Sequence, residues 1–125
     1  MDSKSLGREG FEEWHPLDEL TISDVPYKQK GVYVFRLRSP LKAGVSDILY
    51  IGSSDNLVRR VFGNYFGGVG GKTTKRIHNL LFEEKYLEKG EVGWTIVEDS
   101  KVLEKELKVK FRREHRQLPS WNKRL

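Results

Sequence analysis

The sequence contains no cysteine among its 125 residues, which excludes disulfide bonds and metal sites built from thiolates. It also has no apolar stretch as long as a membrane-spanning helix or a secretion signal requires. We therefore expect a soluble protein of the reducing cytoplasm, with no membrane as a partner. The length suits one domain with a single core, and no second domain is expected.

Negative charge is scarce beyond the first 30 residues. The formal net charge is +5, yet residues 1–30 carry seven Asp or Glu against four Lys or Arg. Residues 31–125 carry nineteen basic residues against eleven acidic ones, and residues 101–125 alone hold nine against three. A local excess of positive charge favours a polyanion, and phosphate is the usual one. Charge alone fits a well-solvated surface equally well.

Three runs rich in β-branched and aromatic side chains predict strands over residues 31–38, 47–53 and 91–98. The first two are close enough to form a hairpin, with a turn over residues 39–44. Helices are predicted after the second strand, from Lys72, and from Ser100 to a stop before Pro119. This order of elements predicts an α+β fold.

The first 26 residues form an acidic N-terminal arm in this interpretation, and residues 27–125 form the domain proper. Residues 1–12 are polar and are expected to be loosely ordered. Phe11, Trp14 and Leu17 are expected to cover one edge of the core. They could instead form a surface that meets a partner protein, an alternative for which composition is the sole support.

A glycine-rich segment at residues 67–71 precedes the helix predicted from Lys72. Free backbone amides at such a helix start can bind phosphate, and Lys72, Lys75 and Arg76 lie beside it. We predict these three side chains as contacts to nucleic acid. The spacing does not match a P-loop, and a flexible linker is the competing interpretation.

Hydrolysis of a phosphodiester requires a positioned water, neutralisation of charge at phosphorus and help for the leaving oxygen. Two strand tyrosines, an arginine on the following helix and a carboxylate on the last helix could supply all three. Arginine matches phosphate oxygens, a carboxylate can hold a hard divalent cation, and a tyrosine can orient water or deprotonate it if its pKa is lowered. The three histidines offer no clear base.

Four motifs carry a resemblance to a known family. Gly31-Val32-Tyr33 and Leu49-Tyr50-Ile51-Gly52 stand at hairpin spacing, and the second continues through Asn56 and Leu57 to Arg60. Leu103-Glu104 then begins the last apolar helical pattern, and Asn122 closes the series. In this order the motifs resemble the GIY-YIG nuclease superfamily, over residues 31–122.

The resemblance implies an α+β fold with a small three-stranded antiparallel sheet flanked by helices. It implies hydrolysis with a single Mg²⁺ or Mn²⁺ ion, for which Glu104 would be the sole protein ligand. Tyr33 would pair with the attacking water, Tyr50 would orient water or phosphate, and Arg60 would stabilise charge at phosphorus. Asn122 would tie the C-terminal segment to the site.

Three positions leave alternatives. Glu106 competes with Glu104 for the metal, because Glu106 lies nearer the centre of the predicted apolar stripe of its helix. Tyr65 follows Asn64, which holds a place where some relatives have a second Tyr or His, and is either a site residue or part of the core. Ser53 stands where some members have a lysine, so an ammonium must come from Lys72, Lys75 or elsewhere.

The sequence thus predicts a divalent-metal-dependent endonuclease that acts on DNA. The alternative is a nucleic-acid-binding module on the same fold that does not cleave. Without an evident recognition domain, the protein would read a DNA shape, act as a homodimer or depend on an accessory protein.

Overall fold

A computed structural model of the chain describes residues 1–39 and 45–125. Most of the hairpin turn predicted over residues 39–44 lies outside the described residues. Among the described elements, no helix is long and apolar enough to cross a membrane. The regular structure is α+β, as the sequence predicts.

The sheet has four antiparallel strands in the order β1-β4-β2-β3. Their bounds are His15–Pro16 for β1, Gly31–Leu37 for β2, Ile48–Ser54 for β3 and Gly90–Ile96 for β4. The last three are the strands that the sequence predicts, within two residues at each end.

The prediction of three strands is wrong by one, because β1 comes from the N-terminal arm. His15 pairs with Val92 of β4, and its ring stacks on Trp94 with the ring centroids 4.7 Å apart. A strand of two residues that ends in proline shows no alternation of apolar and polar side chains. Only its contacts with β4 define it.

The central strand β2 is buried on both faces, which is why its sequence is a near-continuous apolar run. Tyr33, Phe35 and Leu37 point to one face, and Val32 and Val34 point to the other. The sheet is therefore the middle layer of the fold, with a hydrophobic core on each side.

Helices cover both faces. A π-helix at Arg59–Phe66, entered through a helical turn at Leu57, packs with helix α1 at Lys72–Phe82 on the Tyr33 face. A short helix, α2, spans Tyr86–Lys89. The last helix, α3 at Ser100–His115, covers the Val32 face with Leu107 and Phe111.

The N-terminal arm is part of both cores, so the expectation that residues 1–12 are loosely ordered is wrong. Ser3–Glu9 form a 3₁₀-helix whose Leu6 is buried, and Phe11 is 3% exposed beside it on the α3 face. Leu17 is 2% exposed in the other core. Because Phe11 and Leu17 are buried, they cannot form the partner surface considered from composition.

Candidate active site

A polar cavity of about 270 Å³ lies at the edge strand β3, where the two faces of the sheet meet. The chain brings all five predicted catalytic side chains to its wall: Tyr33, Tyr50, Arg60, Glu104 and Asn122. They come from two strands, the π-helix, α3 and the C-terminal segment. Residues far apart in sequence thus surround a single volume that is open to solvent.

Tyrosine rings form one wall of the cavity. Tyr33 and Tyr50 lie on the same face of the sheet, with ring centroids 6.1 Å apart. Tyr65 from the π-helix joins them, 5.8 Å from Tyr33 and 6.4 Å from Tyr50. The hydroxyls of Tyr33 and Tyr65 are hydrogen-bonded. Tyr65, left open between site and core, belongs to both: it lines the cavity and is buried.

Gly52 makes room for the Tyr33 hydroxyl. The two residues face each other across β2 and β3, and a Cβ at position 52 would lie 2.5 Å from the phenolic oxygen of Tyr33. No side chain larger than hydrogen can occupy this place without moving the ring. The glycine of the second motif is therefore required by close approach rather than by backbone conformation.

The phenols are held in their protonated form. Burial, together with the neighbouring Tyr65 and Tyr50, raises the pKa of Tyr33 well above its usual range. Burial and then Tyr65 raise the pKa of Tyr50 in the same direction. Deprotonation of water by a tyrosine requires a lowered pKa, so in this state of the protein the hydroxyls serve as hydrogen-bonding groups.

Arg60 reaches the cavity because the turns of helix around it are fixed by packing. Leu57 and Val61 are completely buried, at the spacing that the sequence predicts. Asn56 accepts the backbone N–H of Arg59 at 3.2 Å and so opens the helix. The Arg60 guanidinium then donates to the carbonyl oxygen of Ser53 at 3.4 Å.

The guanidinium of Arg60 stays charged. Burial opposes its charge, but the adjacent hydroxyls of Tyr33 and Tyr65 outweigh burial, and the net effect raises its pKa. A permanent cation therefore lies next to the tyrosine wall. A phosphate placed there would meet both a positive charge and hydroxyl donors.

Glu104 rather than Glu106 lines the cavity. One carboxylate oxygen of Glu104 accepts the hydroxyl of Ser53, and the other accepts the ammonium of Lys108. Glu106 is exposed on another side of α3. An apolar stripe centred near Glu106 would include Val102, but Val102 is 57% exposed, and the buried side of α3 carries Leu107 and Phe111 instead.

Lys108 is a site residue that the sequence interpretation missed. Its side chain is buried, and its ammonium also approaches the carbonyl oxygen of Arg124 at 3.4 Å. An ammonium therefore lies at the cavity although position 53 holds a serine, and it comes from α3. Four-residue spacing from Glu104 was a visible signal, but on a helix such spacing is typical of exposed ion pairs.

The C-terminal segment forms the rim of the cavity. The Asn122 side chain accepts the N–H of Ile51 at 2.9 Å and donates to its carbonyl oxygen at 3.0 Å. The N–H of Trp121 donates to the carbonyl oxygen of Leu49 at 2.9 Å. These bonds fasten the segment along β3 and bring Lys123 and Arg124 to the cavity, two further residues that the sequence interpretation missed.

The three predicted nucleic-acid contacts on α1 lie outside the wall of the cavity. Lys72 and Lys75 are exposed to solvent. The guanidinium of Arg76 donates to the carbonyl oxygen of Trp121, so this side chain fastens the C-terminal segment. From the same helix, Thr73 and Thr74 reach the cavity instead, which the glycine-rich pattern did not indicate.

Glu104 is the one carboxylate side chain that lines the cavity, and no three His, Asp or Glu side chains cluster as a metal site within residues 1–39 and 45–125. A carboxylate beside hydroxyl groups is a donor set of hard oxygens, the type that Mg²⁺ and Mn²⁺ prefer. The residues therefore fit such an ion in chemistry. The ammonium of Lys108, however, lies on the same carboxylate.

Comparison of the chain with protein-family models, curated proteins and solved structures finds no match.

Proposed function

We propose that the protein is a divalent-metal-dependent endonuclease of the GIY-YIG type that hydrolyses DNA phosphodiester bonds. The observation that supports it most is the convergence of Tyr33, Tyr50, Arg60, Glu104 and Asn122 on one cavity. These residues lie on five separate segments, and an ordinary core does not require charged and phenolic groups to meet at a solvent-open edge.

The charge of the cavity supports a phosphate ligand. The residues that line it include four basic ones, Arg60, Lys108, Lys123 and Arg124, against one residue with an acidic side chain, Glu104. Cations that converge on a concave surface attract a polyanion and hold it against the site. Neutral DNA analogues should accordingly bind far more weakly.

In the proposed mechanism Arg60 binds the scissile phosphate and stabilises the charge that develops on it. Tyr33 and Tyr65, paired through their hydroxyls, orient a water or a phosphate oxygen from the buried side of the cavity. Tyr50 does the same from the strand edge. Asn122 keeps the C-terminal segment, and with it Lys123 and Arg124, in place on the rim.

Glu104 is the residue that would hold Mg²⁺ or Mn²⁺. A bound divalent ion supplies Lewis-acid stabilisation of a phosphate oxygen or of the leaving oxygen. Ser53 donates its hydroxyl to the same carboxylate and so fixes its direction.

Nicking of supercoiled plasmid tests the proposal. Wild-type protein with Mg²⁺ or Mn²⁺ should convert the plasmid to open circles, and chelation should stop it. Glu104→Gln should abolish nicking, whereas Glu106→Gln, which removes the same charge from the exposed side of α3, should leave it unchanged. Equal nicking by wild type and Glu104→Gln would reject hydrolysis at this site.

A nucleic-acid-binding module that does not cleave is the second candidate. Both oxygens of the Glu104 carboxylate already have hydrogen-bond donors, and Tyr33 and Tyr50 are protonated. Fluorescence anisotropy with a labelled duplex separates the candidates. Salt-dependent binding that needs no metal, without any nicking at high protein concentration, would favour the module.

A further inference from the structure

Lys108 is the most deeply buried charged side chain in the described part of the chain, at 5% exposure. Its ammonium is bound to one oxygen of the Glu104 carboxylate. Its other partner is the carbonyl oxygen of Arg124 at 3.4 Å. A buried lysine needs such acceptors, because an unpaired charge in this position is costly.

The position of this ammonium conflicts with a cation at Glu104. A divalent ion bound to the carboxylate would lie within a few ångströms of a unit positive charge, in a partly buried site where screening by solvent is weak. Ammonium and metal therefore compete for one carboxylate. Glu104 has no second acidic side chain beside it in the cavity to relieve this competition.

We infer that Lys108 takes the place of the divalent cation at Glu104 in the free protein and exchanges Glu104 for a nucleic-acid phosphate when DNA binds. This inference rests on the proposed function. Metal and DNA would then bind cooperatively, because the phosphate removes the charge that opposes the metal. By thermodynamic linkage, the metal increases the affinity for DNA by the same factor.

The surroundings of Lys108 suit this exchange. Its ammonium is near Tyr50, and Lys108 and Arg60 line the same cavity, so a phosphate bound by Arg60 would enter the cavity that Lys108 also lines. Lysine carries its charge on a flexible four-carbon stem, which allows the ammonium to move without a shift of α3. Lys108 thus opposes metal binding at Glu104 in the free protein and contacts the substrate once DNA is bound.

Direct measurement of Mn²⁺ binding tests the inference, with free Mn²⁺ followed by electron paramagnetic resonance. Without DNA, Lys108→Met should bind Mn²⁺ roughly tenfold more tightly than wild type, since it loses one repelling charge near the ion. Lys105→Met removes the same charge from the exposed side of α3 and should bind as wild type does. Glu104→Gln should remove the site in every background.

A short phosphorothioate duplex, which resists hydrolysis, then measures the coupling. It should tighten Mn²⁺ binding to wild type by a larger factor than to Lys108→Met. Lys108→Gln, which keeps a hydrogen-bond donor without the charge, should behave as Lys108→Met does and replaces it if that variant does not fold. Unchanged Mn²⁺ affinity in the neutral variants, or equal coupling in all proteins, would overturn the inference.

Plasmid nicking separates this failure from failure of the proposed function. Metal-dependent nicking by wild type, with Mn²⁺ affinity that does not respond to residue 108, rejects the exchange and leaves the endonuclease. If none of the proteins nicks plasmid or binds Mn²⁺, both the exchange and the proposed endonuclease function are rejected.

Discussion

Tyr33 and Tyr65 hydrogen-bond to each other through their hydroxyls at the buried base of the cavity. One tyrosine comes from the central strand and the other from the π-helix, so the bond ties the sheet to the helix that carries Arg60. The geometry of the guanidinium and that of the tyrosine wall are therefore not independent.

Tyr33→Phe should reduce plasmid nicking by about 100-fold or more, because it removes a hydroxyl that orients the reacting groups. The free energy of unfolding should fall by only about 1 kcal/mol, the usual net value of one hydrogen bond. Tyr27→Phe provides the control, since Tyr27 is 74% exposed. Full activity in Tyr33→Phe would exclude the hydroxyl from the mechanism.

Alkaline pH should destabilise the protein partly through Tyr33. Its pKa is raised in the folded state, while an unfolded tyrosine titrates at about 10. Below that pH both states are protonated and Tyr33 has no effect on stability. Above it the unfolded chain releases a proton that the folded protein keeps, so the free energy of unfolding falls as pH rises.

Denaturant titrations of wild type and Tyr33→Phe at about pH 9 and about pH 11 measure this effect. The loss of stability between the two values should be smaller in the variant, by up to about 1.4 kcal/mol per pH unit. Tyr27→Phe should lose as much as wild type. An identical loss in all three proteins would contradict a raised pKa.

Arg60→Ala should abolish nicking and weaken binding of a labelled duplex, while the protein stays folded. The guanidinium of Arg60 is half-buried against the cavity and donates to the Ser53 carbonyl oxygen. Arg59→Ala removes the neighbouring, exposed guanidinium and should retain most activity. If both variants lose activity equally, net charge rather than position explains the effect.

Asn122→Ala should destabilise the protein by about 2–3 kcal/mol, because it leaves the N–H and carbonyl of Ile51 without their partner. Urea denaturation measures this change. Asn79→Ala, at an exposed position of α1, should have little effect. If Asn122→Ala lowers the free energy of unfolding no more than Asn79→Ala does, solvent replaces both hydrogen bonds.

Phe11→Ala should lower the free energy of unfolding by about 3–5 kcal/mol, since it removes a buried ring from the core on the α3 face. Ile22→Ala is the matched change in the same arm at a position that is 64% exposed. Thermal unfolding should separate the two variants clearly. Equal melting temperatures would mean that the arm does not contribute to folding.

The strands that form the site could be predicted because each is a run rich in β-branched and aromatic residues, which is a local property of the sequence. Val32 and Val34 alternate with Tyr33 and Phe35, and β2 is buried on both faces as that run indicates. Leu57 and Val61 likewise indicate a helix. Its π-type hydrogen bonding could not be predicted, because the side-chain spacing does not distinguish it from an α-helix.

Features defined by distant contacts could not be predicted. His15 belongs to a strand through its pairing with Val92, and nothing in the residues next to it indicates this. Lys108 is buried because β3 and the C-terminal segment pack over α3. The spacing of residues along α3 gives no information about these contacts. Sequence motifs identify the tyrosines and Glu104, whereas Lys108 is recognised as a site residue only from the packing of the folded chain.

Trp121 and Asn122 also protect the sheet from other copies of the chain. Strand β3 is at the edge of the sheet, and the C-terminal segment bonds to Leu49 and Ile51 there. A proteolytic cut that releases this segment would expose unpaired amides and carbonyls, a template for pairing between molecules. Protein cleaved in this way should form β-rich aggregates as it loses activity.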